Sequence, residues 1–562
     1  MEYQQLSDLS YRPNRLLFES QLCKEDKADF ALGEANGTHF VALIDINKCH
    51  DQTLLNRIAN YRLQAKSEYQ LNDSKTYFVK PSVLAEARSK VDDGTFYDGK
   101  KLLADFDQLL QIAINRKVTD IHVIVQPLGA RIEFRQFREL VLYKEYDVQY
   151  INSLIAAIYN DQGEEQSKDG EFNPSKIQQT VIERFIDQKK YRIRFSSMNI
   201  DSSNAGANKH LLSAYYAPLR ILPTDMSAIK PLAELGYRQD QLALLTHTIL
   251  ADSGVVIFSG QLNSGKSTTL GSLLKIIRFK YPSKRVVSVE SPPEYIIDGV
   301  MQHPVHTSVD MSDQEMSQAY KRAMNACARS DMNIGFINEI RNEDTAGFAK
   351  WVVEAGHLFL STVHAQSALG IVNRLQSFGI ERDIVCSPKF IQLLVNQALI
   401  QTLCPHCALG IDATTSEDED TQAMLLRLHS MLKTYVLTDY LSAIRFRNKQ
   451  GCSHCTGGIN GLTVVAEMVK PTGELLTLLS QNKHIDAYLY WRGQGALTVK
   501  ESAILKVIQG EVCPSSLEAE LGAINEVDML DSLGDVFFKE ILCPFLEKSS
   551  IEKTSETHHA MV

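Results

Sequence analysis

The chain has 562 residues, enough for roughly three or four domains. At 44% hydrophobic and 22% charged it reads as an ordinary globular protein, and a net charge of −10 argues against electrostatic nucleic-acid binding as its main role, a local basic patch aside. No run approaches the ~18 apolar residues of a membrane span, and Met1 to Arg15 carries no apolar signal core. The ten cysteines are too few for a disulfide scaffold, so a reducing cytoplasm is the simplest compartment.

In chain order, residues 1–95 hold short strand signals such as Phe40-Val41-Ala42-Leu43-Ile44 and no interpretable motif. Leu102 to Ile114 has the apolar spacing of an amphipathic helix. Thr119 to Val125 reads as a strand, with Arg131 to Arg135 as its hairpin partner across Pro127-Leu128-Gly129. Asp161 to Lys176 is a polar loop, Tyr191 to Ser196 alternates as a strand, and Leu211 to Leu219 offers another. These elements predict a small α+β domain over 96–222, with a linker at 223–230. From Pro231 to about Leu399, strands and helices alternate, which predicts a mainly parallel sheet. This domain is expected to run over 231–548, interrupted by an acidic loop at Ala413 to Thr421. Ser549 to Val562 reads as a disordered polar tail, and there is no internal repeat.

The sharpest signal is Gly260-Gln261-Leu262-Asn263-Ser264-Gly265-Lys266-Ser267, a complete G-x-x-x-x-G-K-[ST] phosphate-binding loop. Val255 to Phe258 precedes it as a buried strand, and Thr268 to Arg278 follows as a helix with Leu270, Leu273, Leu274, Ile276 and Ile277 at near-helical spacing. Strand, loop and helix together aim backbone N–H groups at phosphate oxygens. In that geometry Lys266 meets the β- and γ-phosphates and the Ser267 hydroxyl coordinates Mg²⁺.

Three further strands end in chemistry. Val286 to Val289 runs into Glu290, with Glu294 just beyond. Asn333 to Asn338 runs into Glu339, the position of a carboxylate that holds Mg²⁺ or orients water. Leu358 to Val363 is bracketed by His357 and His364. Ligands of parallel α/β sheets sit beyond the carboxyl ends of the strands, where these acids are expected. Surface carboxylates and structural histidines are the competing explanation.

Cys404-Pro405-His406-Cys407 and Cys452-Ser453-His454-Cys455 form two C-x-x-C pairs, separated by a helical insert at Gln422 to Leu441. Two such pairs can supply the four thiolates of a tetrahedral zinc site, although the 44 intervening residues exceed the usual spacing. A redox pair or free thiols are the alternatives, and His406 and His454 are possible competing ligands.

Four ordered motifs resemble the type II/type IV secretion ATPase superfamily. They are the phosphate loop through Thr268, an "Asp box" at Glu290-Ser291-Pro292-Pro293-Glu294, a Walker-B stretch from Asp331 to Ala346, and a "His box" from Gly356 to His364. Asn373-Arg374-Leu375 continues in the same style, and Thr119-Asp120-Ile121-His122 resembles a hallmark of the family's second N-terminal domain. The resemblance covers roughly 100 to 470 and departs at Ser291, Asn333, Asn338 and Asn342.

The resemblance implies a RecA-like P-loop motor domain with a mainly parallel sheet, preceded by a smaller α+β domain and carrying a tetracysteine zinc insert. It implies ATP hydrolysis with Mg²⁺, in which Glu339, with Glu290 or Glu294, positions metal and water beside His357 and His364. It also implies arginines that reach the γ-phosphate, with candidates Arg192, Arg194 and Arg220 in the smaller domain and Arg322, Arg329 and Arg341 in the motor. The expected assembly is a homo-hexamer, cytoplasmic and peripheral to the bacterial inner membrane. Its expected partners are a membrane platform protein and recruiting proteins of a pilus or secretion machine, without direct nucleic-acid contact. The tetracysteine insert resembles the assembly and secretion branch. The rival roles are pilus retraction, conjugative transfer, or a nucleotide-binding assembly subunit with little turnover.

Overall fold

The structure is a computed structural model. It describes residues 24–35, 39–69, 73–90, 99–126, 129–163, 170–200, 214–224, 229–291, 293–305, 312–413, 419–435 and 437–526, with 9, 15–18, 22, 71 and 168. Pro127, Leu128, Pro292, much of the linker and of the acidic loop, part of the 161–176 loop and the whole 549–562 tail lie outside the described residues. The chain divides into two compact units, Met1–Gln108 with Gln149–Ile158, and Leu109–Val148 with Tyr159–Val562.

The first unit holds a four-stranded sheet of Arg15–Leu16 (β1), Phe30–Ala35 (β2), His39–Asp45 (β3) and Asp73–Val79 (β4), in that spatial order. Helix Gln52–Tyr69 makes the parallel crossover from β3 to β4.

The second unit contains two sheets. The first is antiparallel throughout, from Val118–Gln126 (β5), Gly129–Gln136 (β6), Glu139–Tyr146 (β7), Gln178–Ile186 (β8), Lys189–Asn199 (β9) and Tyr215–Pro223 (β10), in the order β7-β6-β5-β10-β9-β8. Its buried residues alternate along β6 and β10, as one covered face requires.

The other sheet carries the phosphate loop. Its strands are Gly254–Ser259 (β11), Val286–Glu290 (β12), Val300–Pro304 (β13), Ile334–Ile337 (β14), Leu358–Thr362 (β15), Ile391–Leu403 (β16) and Ile459–Val469 (β17), ordered β13-β12-β14-β15-β11-β16-β17. Every pairing is parallel except β16 with β17. Both faces are buried. Val255 and Ile257 enter one core with Val352 and Ile371, while Val256 and Phe258 enter another with Leu270 and Leu273. Fully buried strands of this kind read as unbroken apolar runs. A third core of helices Glu419–Thr434, Val499–Ile508 and Pro514–Leu521 packs on the far end of β16.

Candidate nucleotide and metal sites

The phosphate loop joins β11 to helix Lys266–Lys280. Two glycines are required by backbone shape. Gly260 has φ +142° and a Cβ there would lie 2.2 Å from the Gln397 carbonyl oxygen; Gly265 has φ +84°. The helix has no side-chain N-cap, so its first N–H groups point into the loop, which suits a phosphate.

Lys266 Nζ donates to the Gly260 and Gln261 carbonyls at 2.9 Å each and to Ser264 Oγ at 3.3 Å. Burial lowers its ammonium pKa, and Glu339 and Glu294 oppose that shift. Beneath the loop, Gln397 Nε2 donates to the Ser264 carbonyl at 2.8 Å, and Tyr237 Oη donates to Gln397 Oε1 at 2.6 Å. Tyr237 Oη also lies 3.0 Å from Thr269 Oγ1. Gln397 and Tyr237 stand 160 residues apart, and no sequence motif pointed to either.

Glu339 follows β14 on the same sheet edge as the loop. Arg341 Nε donates to its Oε2 at 2.9 Å, and His364 Nε2 lies 3.3 Å from its Oε1. The hydroxyls of the His box set this junction. Ser361 Oγ donates to the Ile337 carbonyl at 2.8 Å and Thr362 Oγ1 to the Asn338 carbonyl at 2.6 Å, tying the end of β15 to the end of β14.

His357 is not part of this cluster. It precedes β15, level with Gly254 at the start of β11, and so occupies the opposite edge of the sheet from the loop. His364 follows the strand and reaches the site. The expectation that both histidines flank the phosphate chemistry is corrected here: the strand between them separates them.

The two Asp-box acids differ. Glu290 is buried and accepts from Ser288 Oγ at 2.6 Å and Gln302 Nε2 at 2.9 Å, with burial raising its pKa. Glu294 is felt electrostatically by both Lys266 and Arg194. Metal-holding groups available at this edge are the Ser267 hydroxyl and the carboxylates of Glu339 and Glu294.

Three arginines of the antiparallel sheet reach loops of the mainly parallel sheet. Arg220 Nη2 donates to Asn263 Oδ1 at 2.9 Å while its Nε is held by Asp120 at 2.9 Å. Arg192 Nη1 donates to the Pro293 carbonyl at 3.0 Å. Arg138 Nη1, overlooked in the sequence, donates to the Asn263 carbonyl at 3.4 Å. Arg194 is mostly buried, which lowers its pKa. Arg322 and Arg329 are exposed and make no hydrogen bond to the loop.

Two departures from the family motifs have structural roles. Asn342 caps helix Glu343–Glu354, its side chain accepting from Thr345 N at 3.1 Å, a task that Asn and Asp perform alike. Asn333 Oδ1 accepts from Arg285 N at 2.8 Å and ties β14 to the approach of β12. Asn338 keeps an ordinary negative φ, so the backbone does not require glycine there.

The Sγ atoms of Cys404, Cys407, Cys452 and Cys455 all lie within 4.8 Å of one another, and three of the pairs are 3.7 Å apart. A tetrahedral Zn–S₄ site with bonds of about 2.3 Å has sulfur–sulfur edges of roughly 3.8 Å, so the four thiols fit such an ion. The His406 and His454 rings stack on each other at 4.3 Å and are not in the ligand cluster.

The sequence model of the family described as "Type II/IV secretion system protein" matches residues 97–529. Type II secretion system protein E of Dickeya dadantii (strain 3937) is 29% identical over 294 residues, 52% of this chain and 53% of that protein. The Klebsiella pneumoniae protein of the same name is 34% identical over 189 residues, 34% of this chain and 36% of that protein. Type IV pilus assembly ATPase PilB of Pseudomonas aeruginosa is 27% identical over 293 residues, 52% of this chain and 47% of that protein. The chain thus spans about half the length, or less, of these relatives. The X-ray structure of the Legionella pneumophila ATPase DotB aligns with a TM-score of 0.52 at 16% identity, covering 74% of this chain and 95% of that one, a likeness of fold. With the phosphate loop, Walker-B glutamate and His-box histidine on one sheet edge and a family match over well more than half of its length, the chain belongs to the type II/IV secretion system protein family.

Proposed function

We propose that this protein is a Mg²⁺-dependent ATPase that powers type IV pilus assembly or type II-like secretion from the cytoplasmic face of a bacterial inner membrane. The observation that carries the reading is that Glu339, paired with His364, acts electrostatically on Lys266 of the phosphate loop, while Arg220 of a separate sheet bonds Asn263 of the same loop. The reaction is hydrolysis of the β–γ phosphoanhydride. Lys266 and the N-terminus of its helix neutralise phosphate charge, Ser267 and an acid hold Mg²⁺, and Glu339 orients water with His364 and Arg341 fixing its carboxylate. Arg194 and Arg220 supply positive charge that is always present and can grip phosphate bidentately. Zinc in the four cysteines completes the cofactor set, and a homo-hexamer acting on a membrane platform protein is the working form. The relatives named as secretion proteins and as a pilus assembly ATPase support this choice of machine.

The test is phosphate release by the full chain with Mg²⁺ and with chelator, beside Lys266→Ala. Turnover that needs Mg²⁺ and Lys266 supports an ATPase. Tight ATP binding with turnover no higher than the Lys266→Ala background would instead identify a nucleotide-binding assembly subunit.

A further inference from the structure

The tetracysteine lobe and the phosphate loop both touch one turn of the antiparallel sheet. Phe137 and Arg138 form the two-residue connection between β6 and β7, and both adopt positive φ, +48° and +74°, which side chains other than glycine rarely take. Contacts on every side hold this turn. Gln401, three residues before Cys404, donates its Nε2 to the Phe137 carbonyl at 2.9 Å and to Glu139 Oε1 at 3.2 Å. Gln136 Nε2 donates to Thr456 Oγ1, next to Cys455, at 3.1 Å. Arg447 grips Glu139 with both terminal nitrogens, one at 3.0 Å, while its Nε donates to the Gly457 carbonyl at 2.7 Å. Arg447 thereby holds the Glu139 carboxyl below the usual carboxylate range. At the tip, Arg138 pairs with Glu520 at 2.8 Å and reaches the Asn263 carbonyl at the apex of the phosphate loop.

We propose that the tetracysteine lobe is a latch for the nucleotide site: through Arg447 and Glu139 it holds the Phe137–Arg138 turn, and with it Arg138, against the phosphate loop. Glu139 and Arg447 are then positioning residues that touch neither nucleotide nor metal, and the metal acts on hydrolysis through them. The inference rests on the ATPase reading for its effect on turnover but not for its effect on the turn.

The mechanics are simple. Thr456 and Gly457 directly follow the second cysteine pair, so a metal that fixes Cys452 and Cys455 also fixes the acceptor of Arg447 Nε. Without the ion, that end of the chain loses its cross-link to Cys404 and Cys407. A two-residue hairpin with both residues in the left-handed region then relaxes, and Arg138 leaves the loop.

The experiment uses the full chain and four variants: Glu139→Gln, Glu139→Arg, Arg447→Glu, and the charge-reversed pair carrying both of the last two. Hydrogen exchange over residues 129–146, zinc content, ADP affinity and ATP turnover are measured for each. Breaking a bidentate charged pair is expected to speed exchange in the turn by about tenfold and to lower turnover by a similar factor, with zinc retained and ADP affinity little changed. The charge-reversed pair is expected to recover much of both losses. Removing zinc with a chelator is expected to loosen residues 129–146 as the single substitutions do. Wild-type protection of the turn in zinc-free protein, or in all three single variants, overturns the latch. If the wild-type chain has no turnover, the ATPase reading fails, while the exchange measurements still decide the latch.

Discussion

Lys266 spends its three donors on oxygens of its own loop, so a bound phosphate competes for an ammonium that is already partly desolvated. Lys266→Ala is expected to abolish hydrolysis, because one lost charge contact at a transferring phosphoryl group costs about 3 kcal/mol or more. Near-normal phosphate release by that variant would contradict the loop's role. Glu339 is oriented from two sides, by Arg341 and His364, without touching the loop glycines. Glu339→Gln is therefore expected to retain ATP, seen as a long-lived bound nucleotide on rapid filtration, with hydrolysis slowed far more than binding. Glu467 offers a pH test. It is buried opposite Asn396, accepts from Ala368 N at 2.6 Å, and burial pushes its carboxyl up to about 7. The folded state keeps this proton where the unfolded chain, with an ordinary carboxyl, has lost it. Stability is thus fully present below the ordinary carboxylate range and declines as pH rises toward about 7. Melting curves of Glu467→Gln should lose that part of the slope, and an unchanged slope would assign it to other groups. Such a residue is hard to find in a sequence. The phosphate loop and the acids at strand ends are legible because their chemistry is contiguous. The Ser259–Asn396–Glu467 row and the Gln397–Tyr237 support under the loop join positions more than sixty residues apart.

At the scale of elements, strand direction decided what spacing alone left open. His357 and His364 look equivalent in a list of residues, but β15 runs between them and only its carboxyl end faces the loop. The expected strands and helices are present with ends shifted by a few residues: Leu102 to Ile114 lies inside helix Gly99–Asn115, and the strand expected over Leu211 to Leu219 is met by β10 at Tyr215–Pro223, residues 211–213 lying outside the described residues. The insert expected as one helix over Gln422 to Leu441 is helix Glu419–Thr434 followed by a 3₁₀ segment at Thr438–Ala443, because Leu437 packs back into the core and turns the chain. The tetracysteine lobe carries a testable expectation at this scale. Elemental analysis of protein purified without added metal should give one zinc per chain. Replacing Cys404 and Cys407 together should release it and raise protease sensitivity between Cys404 and Glu467, since a structural ion contributes directly to local folding. Metal-free protein of unchanged resistance would exclude a structural site. For helix Glu343–Glu354, Asn342→Ala is expected to cost about 1 kcal/mol by denaturant melting, the worth of a lost N-cap.

At the scale of the whole molecule, a nucleotide loop gripped by arginines from another sheet makes turnover depend on arrangement as well as on composition. If the working form is a ring, turnover per chain should rise with protein concentration as rings form, tracked together by light scattering and phosphate release. Concentration-independent turnover by a monomer would favour a self-contained enzyme. Arg220→Ala should lower turnover more than nucleotide binding, since missing arginines of this kind cost about 10³-fold or more in other phosphoryl-transfer sites. β16 carries a last consequence. Its 13 residues begin beside the strand that launches the phosphate loop and end at Leu403, one residue before Cys404. At about 3.3 Å per residue this is a stiff rod of roughly 40 Å. Its length is quantised by the pleat. Deleting one residue between Gln397 and Gln401 would turn Gln401 away from the β6–β7 turn, whereas deleting two would keep its face and draw the tetracysteine end of the strand inward by about 7 Å. The β16–β17 pair already carries a one-residue register shift between Thr402 and Leu403, so a change of odd length would be absorbed there, beside Cys404.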